Sequence, residues 1–351
     1  MKKIALSLLL SALTFTAAQA QQPERLPLPD TGYRLQSEAQ KQLAIDAAAR
    51  YADPTDSNIW EEGACNWNGK PWTLLFVNYL AATDKARWEY NDQTGRAEEK
   101  YSRADWEAVC TAMFSHYAQA TGFNFPSTNP DRFRAIEREV TGMMDVLKPL
   151  LEGSQMEMNC YAGTDALVMD YLSLRLERQL REAAPATWRD ALQAEAKAWD
   201  ALARSLCALN ADYSLAVLGG GTYFSMMPLL TAGYEEGLFE TRIKALKRLS
   251  QLMGVADFVE PPLETDERVL DRMEGLAVAY AENLSETEVG DVTTQSLETV
   301  LDKMNEYLEV YDAVVALLPE ESQEACRDEA MAYVEQFCKA LSSDIEDGEE
   351  E

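Results

Sequence analysis

The sequence contains a single histidine and no Cys-x-x-Cys motif. A zinc site normally needs several cysteine or histidine ligands, so these shortages leave little from which to build one. Basic residues are also scarce, because 31 Lys and Arg stand against 60 Asp and Glu, for a formal net charge of -29. This excess argues against nucleic acids and anionic membrane surfaces as partners. It favours a cationic partner. The simpler alternative is that the negative charge only keeps the protein soluble.

A mainly apolar run is found only at the amino terminus, "MKKIALSLLLSALTFTAAQA". Two lysines precede the run and the small-x-small ending Ala18-Gln19-Ala20 follows it, which is the pattern of a secretory signal peptide. No later stretch approaches the roughly 20 apolar residues that a membrane span needs. We therefore expect cleavage after Ala20 and export to the bacterial periplasm or the medium. Loss of Lys2 and Lys3 takes the charge from -29 to -31 (-29 - 2).

Strand signals are scarce as well, since short alternating runs of β-branched residues are few and helical periodicity dominates. The pattern predicts helices at about 36–52, 71–91, 103–120, 130–151, 165–183, 188–209, 228–252, 266–284, 294–317 and 320–341. The predicted fold class is all-α, with disulfide-tied helical hairpins forming a multi-helix bundle. Similar short motifs occur in three of the predicted hairpins. They are either degenerate internal repeats or similar by chance.

Composition divides the chain into successive predicted segments. The signal peptide, 1–20, is followed by an extended lead-in at 21–35, where prolines are frequent. Three helical units follow, at 36–155, 156–254 and 265–341. The last ten residues, 342–351, form an acidic segment that is predicted to be disordered.

All six cysteines follow the signal peptide, and an even number in an oxidising compartment predicts disulfides. Cys160 precedes one predicted helix and Cys207 lies near the end of the next, so an antiparallel hairpin brings the two together. Cys65 and Cys110 repeat this layout. A bridge of this length contributes roughly 4 kcal/mol in the loop-entropy treatment.

Cys326 and Cys338 do not fit the layout. They are twelve residues apart in one predicted helix, a rise of about 18 Å, which is far beyond the reach of a disulfide. A bridge between them would therefore need a break in the helix. The alternative is that each of the two cysteines pairs with a different partner.

An apolar stripe runs along the predicted helix at 188–209. Its members recur at spacings of three and four: Leu192, Ala196, Trp199, Ala203 and Leu206. The simplest interpretation is that Trp199 fills a bundle core. The three glycines at 219–221, in "GGGTY", then predict a turn into the next helix.

These features resemble the lysozyme inhibitor LprI-like N-terminal domain family of exported bacterial helical proteins. The resemblance covers 156–250 and depends on Cys160, the helix "ALQAEAKAWDALARSLC", the "GGGTY" turn and the closing "FETRIKAL". A weaker second copy begins at "LDKMNEYLEVY", with Ala330 in place of the tryptophan. The resemblance implies a small disulfide-tied helical bundle, and lysozyme inhibition is the function that names the family.

No catalytic, cofactor or metal site is predicted. The only histidine, His116, follows Ser115 directly, and adjacent helical side chains point in different directions, so they do not form a catalytic dyad. We expect His116 to be structural. The glycines of "GGGTY" are followed by no Lys-Ser or Lys-Thr, which argues against a phosphate-binding loop.

The predicted function is binding of a protein partner without catalysis. Lysozyme or another basic protein is the expected partner, and Thr222, Tyr223 and Phe224 after the glycines are the candidate contact residues, as aromatic side chains on a turn often dominate binding. One alternative is a cell-envelope or assembly protein that holds another partner through helical repeats. A minor alternative is a glycan-acting hydrolase, because among 60 carboxylates some pairs must lie close together.

We predict the disulfides Cys65–Cys110 and Cys160–Cys207 in the oxidised mature protein, because the two pairs have matched separations of 45 and 47 residues (110 - 65 and 207 - 160). Peptide mapping without reduction tests both. Pairing of Cys160 with Cys110 would contradict the repeat interpretation.

Overall fold

The computed structural model describes residues 35–52, 71–94, 96–121, 132–138, 140–141, 155–218, 227–256, 260–261 and 288–346. Those between 35 and 121 belong to one compact unit, and those from 132 onward belong to a second. Within these ranges the protein is helical apart from one two-stranded ribbon, so the predicted all-α class is confirmed. The described residues within 156–254 and those at 288–341 lie together in this second unit.

The first unit consists of α1 (Glu38–Ala52), α2 (Pro71–Arg87), the strands β1 (Trp88–Asn91) and β2 (Arg96–Glu99), and α3 (Arg103–Thr121). Ser37 caps α1, since its hydroxyl accepts a hydrogen bond from the backbone N–H of Gln40 at 3.1 Å. Ser102 caps α3 in the same way, through the N–H of Asp105 at 3.2 Å. Trp106 and Tyr79 are fully buried between these helices.

The ribbon β1–β2 is antiparallel, with Trp88 opposite Glu99 and Asn91 opposite Arg96. The Asn91 side chain accepts hydrogen bonds from the backbone N–H groups of the turn, at 2.8 and 3.3 Å. The predicted helix at 71–91 was wrong at its end, because α2 stops at Arg87. Each strand is only four residues long, so its alternation was too brief to be recognised.

The second unit contains five long helices and one short 3-10 helix among the residues that the structure describes. The long helices are α4 (Gln155–Ala183), α5 (Arg189–Leu218), α6 (Met227–Leu252), α7 (Glu288–Val315) and α8 (Glu320–Glu346). The 3-10 helix, Ala186–Trp188, joins α4 to α5. Residues 132–138 and 140–141 are also helical.

Helix α4 packs most extensively against α6, and α5 against α7, rather than α4 against α5. The pair α4–α6 is parallel, since Ala166 contacts Ala232 near the start of both helices and Glu177 binds Arg242 further along both. Helices α4 and α5 follow one another in the chain, as the predicted hairpin requires. Each of them nevertheless packs mainly against a different helix, α4 against α6 and α5 against α7. The hairpin α7–α8 is antiparallel, with Tyr311 beside Cys326.

Several predicted boundaries shift. Helix α4 begins ten residues before the predicted residue 165, so Cys160 lies inside it, and α5 continues nine residues beyond residue 209. Helix α8 is continuous to Glu346, five residues into the segment predicted to be disordered. The predicted helix at 266–284 and the turn at 219–221 lie outside the described residues. No helix in the described ranges is long and apolar enough to cross a membrane.

Candidate functional site

The centre of the second unit is a buried ionic cluster formed by Arg242 of α6, Glu177 of α4 and Glu195 of α5. The Nη2 of Arg242 donates to Glu177 at 2.9 Å and to Glu195 at 2.8 Å, and its Nε donates to Glu177 at 3.0 Å. The Nη1 also donates to Glu195. All three side chains are at most 5% exposed. One guanidinium therefore joins three helices by charge-assisted hydrogen bonds.

The cluster keeps Arg242 charged despite its burial. Burial alone lowers the pKa of Arg242, but the carboxylates of Glu195 and Glu177 outweigh this effect and raise the pKa above its usual value. The neighbouring residues of α6 explain why the arginine faces inward, since Leu238, Phe239, Ile243, Ala245, Leu246 and Leu249 are all buried. Arg242 lies on the same apolar face of the helix.

Aromatic rings close one side of the cluster. The guanidinium of Arg242 lies 5.1 Å from the ring centre of Trp199, a cation–π distance. Trp199 is fully buried and meets Tyr307 of α7 edge to face at 6.3 Å. The expectation that Trp199 fills the core is thus met. Burial, with the negative charge of Glu195, raises the pKa of Tyr307 well above its usual value.

The aromatic contacts continue toward α8. Tyr307 packs on Tyr311 at 5.7 Å, and the Tyr311 hydroxyl is 3.2 Å from the sulfur of Cys326. Burial raises the pKa of Cys326, so this thiol stays protonated at neutral pH. Cys326 and Cys338 both lie in the continuous helix α8, and the rise of about 18 Å between them prevents a bridge from one to the other.

A second arginine ties α6 to α8. Arg248 binds both carboxylate oxygens of Glu329, with contacts of 2.8 to 3.1 Å. The same guanidinium reaches Gln251 at 3.1 Å, and the Gln251 side chain accepts the N–H of Glu260 at 3.0 Å. On another side of α6, Lys247 binds Glu137 at 2.6 Å. The basic side chains of α6 thus connect it to α4, α5, α8 and the helical segment at 132–141.

The outer surface of the same unit is strongly acidic. Exposed carboxylates recur along one face of α7 at spacings of three and four; we name this the acidic face, and its members are Glu298, Asp302, Glu306, Glu309 and Asp312. Lys303 binds Glu306 at 2.8 Å, and Arg327 of α8 binds Asp312 at 2.7 Å. Four more exposed carboxylates follow on α8: Glu320, Glu321, Glu324 and Asp328.

The buried cluster is suited to holding helices together rather than to chemistry. Four donor contacts of Arg242 are taken by carboxylates, and its ring neighbours leave it 1% exposed. A substrate would need an open approach to such groups. In the described part of the chain, no three Asp, Glu, His or Cys side chains are grouped so as to hold a metal ion.

The predicted site residues are placed only in part. Cys110 is buried in α3 and Cys207 is half-buried in α5. Cys65 lies outside the described residues, and the side chains of Cys160 and His116 lie outside them too, so both disulfides stay predictions. The candidate contact residues Thr222, Tyr223 and Phe224 also lie outside the described ranges.

Sequence reasoning did not identify Glu177, Glu195 and Arg242 as a cluster. Their signal was present, because each charged residue lies on the apolar stripe of its helix, with buried residues three or four positions away on both sides: Leu174 and Leu180 for Glu177, Leu192 and Trp199 for Glu195, and Leu238 and Leu246 for Arg242. The comparisons with known proteins add no further guide, since no family model, curated protein or solved structure matches the chain.

Replacing Arg242 with Met is expected to destabilise the protein by about 3–5 kcal/mol, because it leaves Glu177 and Glu195 buried without a counter-charge. Chemical denaturation measures the loss. The matched control is Arg178→Met, which removes an exposed pair with Glu182 within α4 and should cost at most about 1 kcal/mol. Equal effects of the two substitutions would contradict the central role of Arg242.

Trp199→Ala is expected to cost about 3–5 kcal/mol in the same measurement, since it removes a fully buried ring that contacts Arg242 and Tyr307. Tyr90→Ala serves as the control, because Tyr90 is 67% exposed on the ribbon and its loss should change stability by no more than about 0.5 kcal/mol. A similarly small value for Trp199→Ala would show that the ring does not support the core.

Proposed function

We propose that this protein is an exported, non-catalytic binding protein whose partner is a basic protein. The observation that supports the proposal is the distribution of charge in the second unit. Arg242, Lys247 and Arg248 point toward neighbouring helices and are paired there. The carboxylates of the acidic face remain at the surface, so the exterior of this unit is acidic.

Such a surface attracts a cationic protein over long range and increases its rate of association. Lysozyme is the candidate partner, on the resemblance to the LprI-like family and because many lysozymes are basic. Inhibition needs a further element, since carboxylates are repelled by the acidic residues of a glycosidase active site. The segment with Thr222, Tyr223 and Phe224 is the candidate for that element, because its side chains are uncharged.

The alternative is an assembly protein that binds through another surface. Tyr90 on the β1–β2 ribbon supports it, since this aromatic residue is 67% exposed on strand β1 of the first unit. Exposed aromatic residues are frequent at protein interfaces. An assembly partner recognised in this way would not require a basic surface.

The mature protein is expected to bind lysozyme with an association rate that falls as salt rises, because mobile ions screen exposed charges. Surface plasmon resonance at low and physiological salt measures the rate. Replacing Asp302, Glu306 and Glu309 with their amides should slow association about threefold or more at low salt and change dissociation little. Tyr223→Ala should instead raise the dissociation rate and leave the association rate and its salt dependence nearly unchanged.

A control variant with the same change of net charge separates the acidic face from the total charge. It carries Glu38→Gln, Glu89→Gln and Asp92→Asn, three exposed carboxylates of the first unit. This variant should associate nearly as fast as the unmodified protein. If the mature protein leaves lysozyme activity unchanged at micromolar concentration and low salt, the inhibitor proposal fails and the assembly function takes its place.

A further inference from the structure

The β1–β2 ribbon is held only loosely by packing against the helices of the first unit. Among the described residues, each strand contacts mainly the other strand, and β1 adds a smaller contact with α2. A two-stranded hairpin is only marginally stable in water by itself. The ribbon nevertheless carries Tyr90, which is 67% exposed. The placement of this residue relative to the helices therefore depends on polar contacts at the base of the ribbon.

The carboxylate of Asp46, on α1, collects three hydrogen bonds at that base. Its Oδ2 accepts from the ammonium group of Lys100 and from the hydroxyl of Tyr101, both at 2.7 Å. Its Oδ1 accepts from the side-chain amide of Gln42 at 2.9 Å. Lys100 and Tyr101 directly follow β2, and their backbone N–H groups both donate to the carbonyl oxygen of Arg87, at 2.8 and 3.2 Å. The carboxylate thus joins α1 to the point where the chain leaves the ribbon.

This arrangement requires the ionised form of Asp46. Both carboxylate oxygens already face donors, and neither the ammonium group of Lys100 nor the amide nitrogen of Gln42 can accept a hydrogen bond. A proton on Oδ1 would meet the Gln42 amide, and a proton on Oδ2 would meet the ammonium group. Protonation would also remove the opposite charge that strengthens the contact with Lys100.

The pKa values of the two charged partners agree with this geometry. Burial raises the pKa of Asp46, but the hydrogen bonds from Lys100, Gln42 and Tyr101, with the charge of Lys100, outweigh burial and hold the pKa below its ordinary value of 3.8. The hydrogen bond to Asp46 in turn raises the pKa of Lys100. Both shifts favour the charged pair.

Other charged residues near α1 have a smaller influence on Asp46 than Lys100 has. Arg50 lies one turn further along α1 and is exposed. Arg87 binds Glu99 at 3.2 Å. The charged residues described in the neighbouring helices α2 and α3 are Asp84, Lys85, Arg87, Arg103, Asp105 and Glu107. None of these six is among the groups that act most strongly on the Asp46 carboxyl.

We propose that Asp46 positions the β1–β2 ribbon on α1, and that the ribbon is released from α1 when this carboxyl group becomes protonated. Loss of the contact frees Lys100 and Tyr101 from α1, while the pairing of β1 with β2 does not involve Asp46. The ribbon then moves as a unit relative to α1. The exposed Tyr90 thus has a fixed position relative to the helices only while Asp46 is charged.

The direction of the pH dependence follows from linkage. The pKa of Asp46 in the folded protein lies below its value of 3.8 in an unfolded chain, so the unfolded state takes up the proton first as pH falls. The stabilisation by this contact is therefore fully present above about pH 3.8 and is lost as pH falls through the folded pKa. The ribbon is fixed at neutral pH and released in strongly acid solution.

Hydrogen exchange of the full mature protein at neutral pH tests the positioning role. Asp46→Asn should increase the exchange rates of the Lys100 and Tyr101 amides severalfold, because the neutral side chain no longer holds the ammonium group. Amides of the second unit, such as those of α6, should be unchanged. The matched control is Asp92→Asn, which makes the same chemical change at an exposed residue of the ribbon turn and should leave both amides protected.

An NMR titration of the unmodified protein provides a second decision that does not depend on any variant. The carboxyl carbon of Asp46 and the backbone amide signals of Lys100 and Tyr101 should titrate together, with a midpoint below 3.8. A midpoint at or above 3.8, or amide signals that do not follow the carboxyl group, overturns the proposal. Exchange in Asp46→Asn that is no faster than in Asp92→Asn overturns it as well.

Discussion

Arg242 and its two glutamates are the interaction on which the second unit depends. A charge with so little exposure is costly to remove from water, and only good geometry with opposite charges offsets that cost. Glu177 and Glu195 supply this geometry from α4 and α5, and Trp199 covers the guanidinium with its ring. Helices α4, α5 and α6 therefore have one relative placement in which all three charges are satisfied.

The same cluster determines how the remaining helices are positioned. Trp199 reaches Tyr307 of α7, and Tyr307 reaches Tyr311, which meets Cys326 of α8. Arg248 then joins α6 to Glu329 of α8. Apolar burial supplies most of the stabilisation in such a bundle. The ionic and aromatic contacts supply its register, since a slip of α4, α5 or α6 would separate a buried charge from its partner and a slip of α7 would separate Tyr307 from Trp199.

This arrangement also connects the core with the proposed function. A chain with 31 basic and 60 acidic residues has few cations with which to balance its surface. Arg242, Lys247 and Arg248 are used in contacts between helices, so these three do not pair with the carboxylates of the acidic face. Within that face, Glu306 pairs with Lys303 and Asp312 with Arg327, while Glu298, Asp302 and Glu309 add to the negative charge of the surface. The acidic exterior follows mainly from the excess of carboxylates in the chain.

The sequence by itself determined the class of the fold and much of its local structure. Apolar periodicity located helices such as α1, α3 and α6 to within a few residues, and the stripe through Trp199 identified a core residue, because each signal depends on neighbours within a few turns. The tertiary structure alone decided that α4 pairs with α6 in parallel and that Arg242 binds Glu177 and Glu195. These charged partners are 65 and 47 residues apart, as 242 - 177 and 242 - 195 show. A local pattern shows that a residue is buried but not what it meets, since that choice is made when whole helices pack.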